Sequence, residues 1–298
     1  LYDKVLIEDF GSSSIEYAYI RPVAQKDGSY KVCCELDVKG YQDGEARVAY
    51  TLELDGKAVT SLEDTVRIRK GDNLVEHELL VKDPQLWWPL GHGKQPIYTL
   101  TVRMLDGSSV SDEKTYQVGL RTIAFERCEG AGEDTLPYCV VINGKKIFLK
   151  GINLAPIDQI YGGLKEKDYD DILSAAKGAN INFLRVNGVG FIESEMFYNL
   201  CDRYGIMVWQ DFIQSSSGID NLPSTEPAFL DLLRTVAVHA VKVKRNHVSL
   251  TMWCGGNELR EVYCTQDPPV TYKNKNIAML NDIVRQYDKD RIMMPSTA

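Results

Sequence analysis

The sequence predicts a β-sandwich followed by the opening part of a (β/α)8 barrel, and three observations carry that prediction. Up to about Glu126 the residues alternate apolar and polar with period two; beyond Lys145 short apolar runs alternate with amphipathic stretches; and the apolar runs end in polar or charged side chains. The 298 residues are about twice the roughly 150 expected of one domain, in keeping with two units.

The sandwich is written in YKVCCELDVKG (30–40), ARVAYTLELDG (46–56), DTVRIRKGD (64–72), LVEHELLV (74–81), IYTLTVRMLDG (97–107) and EKTYQVGLRTIAF (113–125). Strict alternation with Gly or Asp punctuation about every ten residues is the pattern of half-buried strands joined by turns. The Gly-bearing polar stretch 128–137 reads as a linker, and VVINGKKIFLKG (140–151) as two short strands around a turn at Asn143 and Gly144. The second unit begins there.

Its first strand is predicted over 147–152. A helix over 166–178 follows, with Tyr169, Ile172, Leu173 and Ala176 on one face. Next come a strand at 181–186, a helix from about 193 to 204, a strand at 206–209 and, after a long loop, a helix with Pro227 in its first turn. A strand at 250–254, a helix from about 274 to 287 and a strand from 292 complete four βα units and a fifth strand. Strand–helix alternation means a parallel sheet, doubly wound or closed. Asn153, Arg185, Asn187, Gln210, Asp211, Asn257 and Glu258 all fall at strand ends, which in a barrel converge on one mouth, and GINLAP is not the Gly-rich turn a dinucleotide fold needs. The barrel is therefore preferred. It is expected to be truncated, because a whole one takes roughly 250 residues and only about 150 follow Lys145.

Composition narrows the function. Thirty-four Lys and Arg against 42 Asp and Glu give a net charge of −8, the wrong sign for a nucleic-acid or anionic-membrane surface. No apolar run reaches the roughly 18 residues of a membrane span. The seven cysteines show no CxxC pairing, and their odd number leaves a free thiol, which favours a reducing compartment while leaving secretion open. The chain begins at Leu1 without a leader, as an excised or processed piece would. No metal or cofactor is called for: His and carboxylates do not cluster at metal spacing, and there is no G-x-S-x-G turn.

TMWCGGNE (251–258) ends an apolar strand with two glycines, an amide and a carboxyl. A carboxyl held in a barrel mouth beside an amide is the arrangement of a glycosidase proton donor, so Glu258 is the acid/base candidate; the plainer reading makes it a helix cap. Asp211 in VWQDF is either a second carboxylate in the mouth or, as the favoured reading, a residue with a structural or substrate hydrogen-bonding role that orients Arg185 or a loop amide. Arg185, ending a buried strand, needs a carboxylate there, for fold alone or to orient a catalytic Glu. Trp253 and Trp209 read as core rings or as stacking faces under a sugar. Trp87 and Trp88 read as a packed loop at the domain junction, and His247, before the fourth strand, as structural.

These stretches, with QLWWPLGHGKQPIYTL, VGLRTIAF, NGKKIFLKGINLAP, ANINFLRV, FYNLCDRYGIMVWQDF, RNHVSLTMWCGGNE and DKDRIMMPS in order along the chain, resemble family 2 glycoside hydrolases of the β-mannosidase-like branch. The resemblance implies that 1–12 is the last strand of an upstream jelly-roll sugar-binding domain, 13–127 an immunoglobulin-like sandwich and 138–298 the N-terminal half of a catalytic TIM barrel. It further implies that Asn257 contacts substrate, that Glu258 is the general acid/base, and that the nucleophilic Glu lies on a later strand outside this sequence. Leu154 stands where the branch commonly has Trp, and RVNGVG, with Asn187 and Val189, where it has an RVWGGG-like turn. Losing two rings would reshape the pocket, so the reading stops at an exo-acting β-glycosidase.

The expected chemistry is retaining hydrolysis of a terminal β-linked sugar from an oligosaccharide or glycoside. Glu258, kept protonated by an enclosed site, would donate to the leaving oxygen and then activate water; Asn257 and Asn187 would face the sugar, and Arg185 would orient carboxylates. The open barrel edges would favour self-association. The rival readings are a non-catalytic carbohydrate-binding or interaction protein on the same scaffold, and an endo-glycanase with an open groove.

Overall fold

The structure, a computed structural model, describes residues 5, 7–135, 137–158, 160–216, 221–262 and 268–297. Of the strand expected over 1–12, residues 1–4 and 6 lie outside the described residues, and 7–10 carry no regular structure. The first unit is a seven-stranded sandwich. Strands β1 (Ser13–Ala24), β2 (Tyr30–Gly40), β3 (Gly44–Leu54), β4 (Lys57–Ile68), β5 (Gly71–Val81), β6 (Tyr98–Asp106) and β7 (Ser109–Val118) divide into an antiparallel sheet β1-β2-β5 and another ordered β4-β3-β6-β7. Alternation does the work: in β2 every second residue from Tyr30 is buried, and Val32, Leu36, Val48, Leu52, Leu100 and Val102 meet between the sheets. β1 is not among the strands the alternation singles out. It carries Pro22, which a strand tolerates at an edge, and β1 is the edge of its sheet.

The stretch read as one strand over 113–125 is two. After β7 the chain leaves the sandwich, and β8 (Ile123–Glu126) pairs across the linker with β9 (Cys139–Ile142), which turns through Asn143 and Gly144 into β10 (Lys145–Lys146). Both turn residues have positive φ, 50° and 76°, as a two-residue hairpin turn requires.

The second unit is a five-stranded parallel sheet, β11 (Gly151–Leu154), β12 (Phe183–Val186), β13 (Met207–Asp211), β14 (Leu250–Cys254) and β15 (Met293–Met294), in sequential order. It is joined by α1 (Glu166–Gly178), α2 (Glu195–Tyr204), α3 (Pro227–Lys244) and α4 (Lys275–Tyr287). β11 starts later than the apolar run suggested, because Ile147 bonds back to Val140 and packs with Trp87 instead of entering the sheet. The helix ends are marked chemically: Ser194 caps α2 by accepting the Phe197 N–H, Gly205 ends α2 with φ 74°, Pro227 opens α3, and Asn274 caps α4.

One face of the sheet, with Leu184, Val208, Leu250 and Trp253, packs against the helices; the other carries Phe183, Met207 and Met252 onto Trp87, Val140 and Ile147. Trp87 is fully buried at the junction, its indole N–H donating to the Asp202 carbonyl. The six described cysteines are unpaired, Cys264 lying outside the described residues. Among the described residues no helix is long and apolar enough to cross a membrane.

Candidate active site

Parallel pairing in register brings residues far apart in sequence to one edge. Asn153 lies opposite Arg185, and Asp211 opposite Cys254. The side chains of Asn153, Arg185 and Asp211 meet on one face at the carboxyl ends of the strands. Arg185 is the hub. Its guanidinium grips Asp211 through Nε (3.3 Å) and NH2 (2.6 Å), and donates to Asn257 Oδ1 at 2.9 Å, Asn153 Oδ1 at 3.3 Å and Thr297 Oγ1 at 3.2 Å, with the Trp209 ring beneath it at 5.2 Å. Asp211 also accepts the Gly188 N–H at 3.0 Å. Burial pushes its carboxyl up, while Arg185 and that N–H pull it back. Asp211 thus bonds both Arg185 and a loop amide.

Asn257 Oδ1 takes a second hydrogen bond from Asn187 Nδ2 at 3.1 Å, and Asn257 Nδ2 donates to Ser215 Oγ at 3.2 Å. Asn187 in turn accepts the Val189 N–H. Arg185, Asn187, Asp211 and Asn257 thus form one continuous network. Glu258 stands at its rim with its carboxylate accepting from Ser216 Oγ at 3.1 Å. Its backbone is left-handed (φ 53°), a conformation costing a non-glycine residue about 1 kcal/mol or more. It is held by Thr297 Oγ1, which takes the Glu258 N–H at 3.0 Å, and by Ser296 Oγ, which takes the next N–H at 2.8 Å. Thr297 therefore touches both Arg185 and the Glu258 main chain.

Glu258 is exposed among the described residues. Two expectations change. Arg185 makes no direct bond to Glu258 and reaches it through Asn257 and Thr297. Trp253 is no sugar-facing ring. It is fully buried on the helix side, stacked on Phe212 at 5.4 Å with its indole N–H on Asp288. Gln210 likewise points to that side, accepting from Tyr198. In a strand buried on both faces the apolar run carries no alternation that tells inside from outside.

The glycines also act differently from a loose turn. A Cβ on Gly188 would lie 2.2 Å from the Gln214 carbonyl oxygen, and one on Gly255 2.3 Å from that of Pro295. They let three loops touch. Sequence reasoning passed over Gln214, Ser215, Ser216, Asn276 and Thr297. Thr297 follows the fifth strand as Asn187 follows the second, so the strand-end rule reaches it; Asn276, inside a helix, gives no such sign. Two clefts lie away from this shelf, one of about 370 Å³ between sandwich and barrel lined by Tyr17, Tyr116, Glu195 and His247, and one of about 550 Å³ beside α3.

A sandwich followed by parallel barrel strands, with an amide–carboxyl pair after the fourth, defines a glycoside-hydrolase type of architecture. The model of "Glycosyl hydrolases family 2" matches residues 13–121, and that of "Glycosyl hydrolases family 2, TIM barrel domain" matches residues 138–295, so the chain belongs to glycosyl hydrolases family 2. It is 32% identical to a β-mannosidase of Bos taurus over 87% of this chain and 29% of that protein, and 36% identical to one of Rattus norvegicus over 65% of this chain and 22% of that protein. The chain thus spans less than a third of the length of these relatives. The crystal structure of a β-D-mannosidase from Dictyoglomus thermophilum superposes with a TM-score of 0.86 at 28% identity, covering 97% of this chain and 35% of that one. A β-glucuronidase from Bacteroides uniformis (TM-score 0.77, 16% identity, 95% of this chain and 34% of that one) shares the fold.

Proposed function

We propose that these residues form the acid/base half of the active site of a retaining exo-β-glycosidase of the β-mannosidase type. The observation that carries the reading is the strained, double-pinned turn at Glu258, which holds a solvent-reachable carboxyl beside the buried Asn257. Glu258 protonates the glycosidic oxygen in the first step and deprotonates water in the second. Asn257, its Oδ1 fixed by Arg185 and Asn187, faces a ring hydroxyl, and Asn187 lies beside it. Asp211 is engaged by Arg185; by the resemblance to family 2 glycoside hydrolases, the attacking carboxylate, about 5–5.5 Å from the acid in a retaining enzyme, is assigned to a later barrel strand outside these 298 residues. The likeness to β-mannosidases supports this assignment, and with it a division into a 13–127 sandwich and a 138–298 half-barrel.

In the gene's full-length product, Glu258→Gln should lower kcat/KM by roughly 10²–10⁴-fold on glycosides with poor leaving groups and far less on dinitrophenyl glycosides, which need no proton. Equal losses on both would exclude the acid role and favour a binding protein on the same scaffold. The 298-residue chain alone should turn over neither. With β11 and β15 as the free edges of its sheet and Phe148 and Ile152 exposed near one of them, it should self-associate in light scattering; a concentration-independent monomer would count against that.

A further inference from the structure

Behind the Glu258 turn lies a pair of amides that the chemistry above does not use. Gln214, on the loop after β13, and Asn276, in the first turn of α4, are 8% and 0% exposed and bond to each other reciprocally: Gln214 Nε2 donates to Asn276 Oδ1 at 3.0 Å, and Asn276 Nδ2 donates to Gln214 Oε1 at 2.8 Å. The remaining amide hydrogens are spent too, that of Gln214 on the Gly255 carbonyl (2.9 Å) and that of Asn276 on the Ser224 carbonyl (2.9 Å). Every donor of two buried carboxamides is satisfied, a condition under which a polar network fixes one geometry.

The Gln214 main chain joins the same construction. Its carbonyl accepts the Asn257 N–H at 2.9 Å and sits where a Cβ on Gly188 (2.2 Å) or Gly256 (2.7 Å) would intrude. The next residues continue the seam: Ser216 N–H donates to the Asn257 carbonyl, and the Ser216 hydroxyl holds the Glu258 carboxylate. Loops after β12, β13 and β14 and the start of α4 therefore meet at Gln214, one side of which reaches Gly255 and the other Asn257.

We infer that Gln214 and Asn276 are positioning residues for the general acid: their paired amides lock the β13 loop against the Gly255–Glu258 turn and so set where the Glu258 carboxyl points. This rests on the acid/base reading of Glu258. A carboxyl misplaced by about 1 Å costs a step that depends on it on the order of 10²-fold and leaves one that does not depend on it nearly intact.

The test uses the full-length product and two substrates of one sugar, an alkyl glycoside and a dinitrophenyl glycoside, with Glu258→Gln as reference. Gln214→Leu should reduce kcat/KM roughly 10- to 100-fold on the alkyl glycoside and less than about threefold on the dinitrophenyl glycoside, and shift the basic limb of its pH profile. Asn276→Leu should do the same, and the double variant no more than either single, because each alone opens the pair. If Gln214→Leu yields no folded protein, Asn276→Ser, opening the pair from the helix side, carries the comparison. Equal losses on both substrates, no loss, or additive losses in the double variant overturn the positioning role. Should Glu258→Gln show the leaving-group split and the amide variants not, the acid reading stands alone; should Glu258→Gln lack the split, both fall.

Discussion

The two ends of the parallel sheet each bury an ionic group, and they use it differently. At the carboxyl end Arg185 holds Asp211 and passes hydrogen bonds outward through Asn257 and Thr297 to a turn whose last side chain, Glu258, is exposed. At the amino end His247 lies between two carboxylates, Nδ1 at 2.8 Å from Asp202 and Nε2 at 2.9 Å from Glu195, with Tyr198 stacked on its ring and Lys244 on Glu195. Carboxylates only accept, so both ring nitrogens carry protons and the imidazole is a cation. Asp202 also accepts the Ser249 N–H, and the Arg291 guanidinium donates to the His247 carbonyl. Glu195 is itself 54% exposed, so both networks run from a buried ion to an accessible carboxylate; what separates them is position, the carboxyl ends of barrel strands being where sites are built and the amino ends where buried charge bears on stability.

The largest effects should expose that contrast. Asp211→Ala strands the buried Arg185 and Asp202→Ala removes one of the two carboxylates on His247; the first should lower unfolding free energy by about 3–5 kcal/mol in chemical denaturation and the second by somewhat less. They should part in the kinetics of the folded full-length protein, Asp211→Ala losing roughly 10²-fold in kcat/KM and Asp202→Ala staying within about threefold. Matching losses would erase the distinction.

Next comes pH. Burial pushes the His247 pKa down, but Asp202 and Glu195 outweigh it and hold it above the ordinary 6.5. Its contribution is therefore complete below 6.5 and is lost as pH rises through the raised value. Burial would raise Glu195, but His247 and Lys244 bring it down to about 2, so its contribution is complete above the ordinary 4.5 and is lost as pH falls toward 2. Stability should plateau between about 4.5 and 6.5. His247→Gln should flatten the alkaline slope of melting temperature against pH and leave activity per folded molecule alone; an unchanged slope would mean that another group sets it.

The smallest effect belongs to the rim. Asn187→Trp, restoring the ring common in the branch, should change the ratio of kcat/KM among β-mannoside, β-glucoside and β-galactoside by about 1 kcal/mol, or roughly fivefold. A constant ratio would place residue 187 away from the sugar.

The difference between the ends also marks how far the sequence could be read. The period-two strands and the βα order are legible because burial on one face imposes a period. Asn257 and Glu258 are legible as candidates because the polar residues that end buried barrel strands converge on one mouth, and these two follow a pair of glycines. Trp253 misleads because its strand is covered on both sides, so nothing in LTMWC says which way a ring turns. β8 misleads because its partner lies beyond the linker. The Gln214–Asn276 pair leaves no trace, since two amides 62 residues apart acquire meaning only when a loop and a helix start are brought together.

The tight seating of Gly188, Gly255 and Gly256 bears on how such a site can diversify. At Gly188 and Gly255 an added side chain meets a carbonyl oxygen at 2.2–2.3 Å, so saturation mutagenesis should find both nearly invariant, with Gly256, at 2.7 Å, close behind. Val189, by contrast, is 55% exposed, and Asn187 holds its neighbours by single hydrogen bonds. If the loop faces a sugar as proposed, selection for a new substrate should enrich substitutions at 187 and 189 and leave Gly188 between them, with Gly255 and Gly256, untouched.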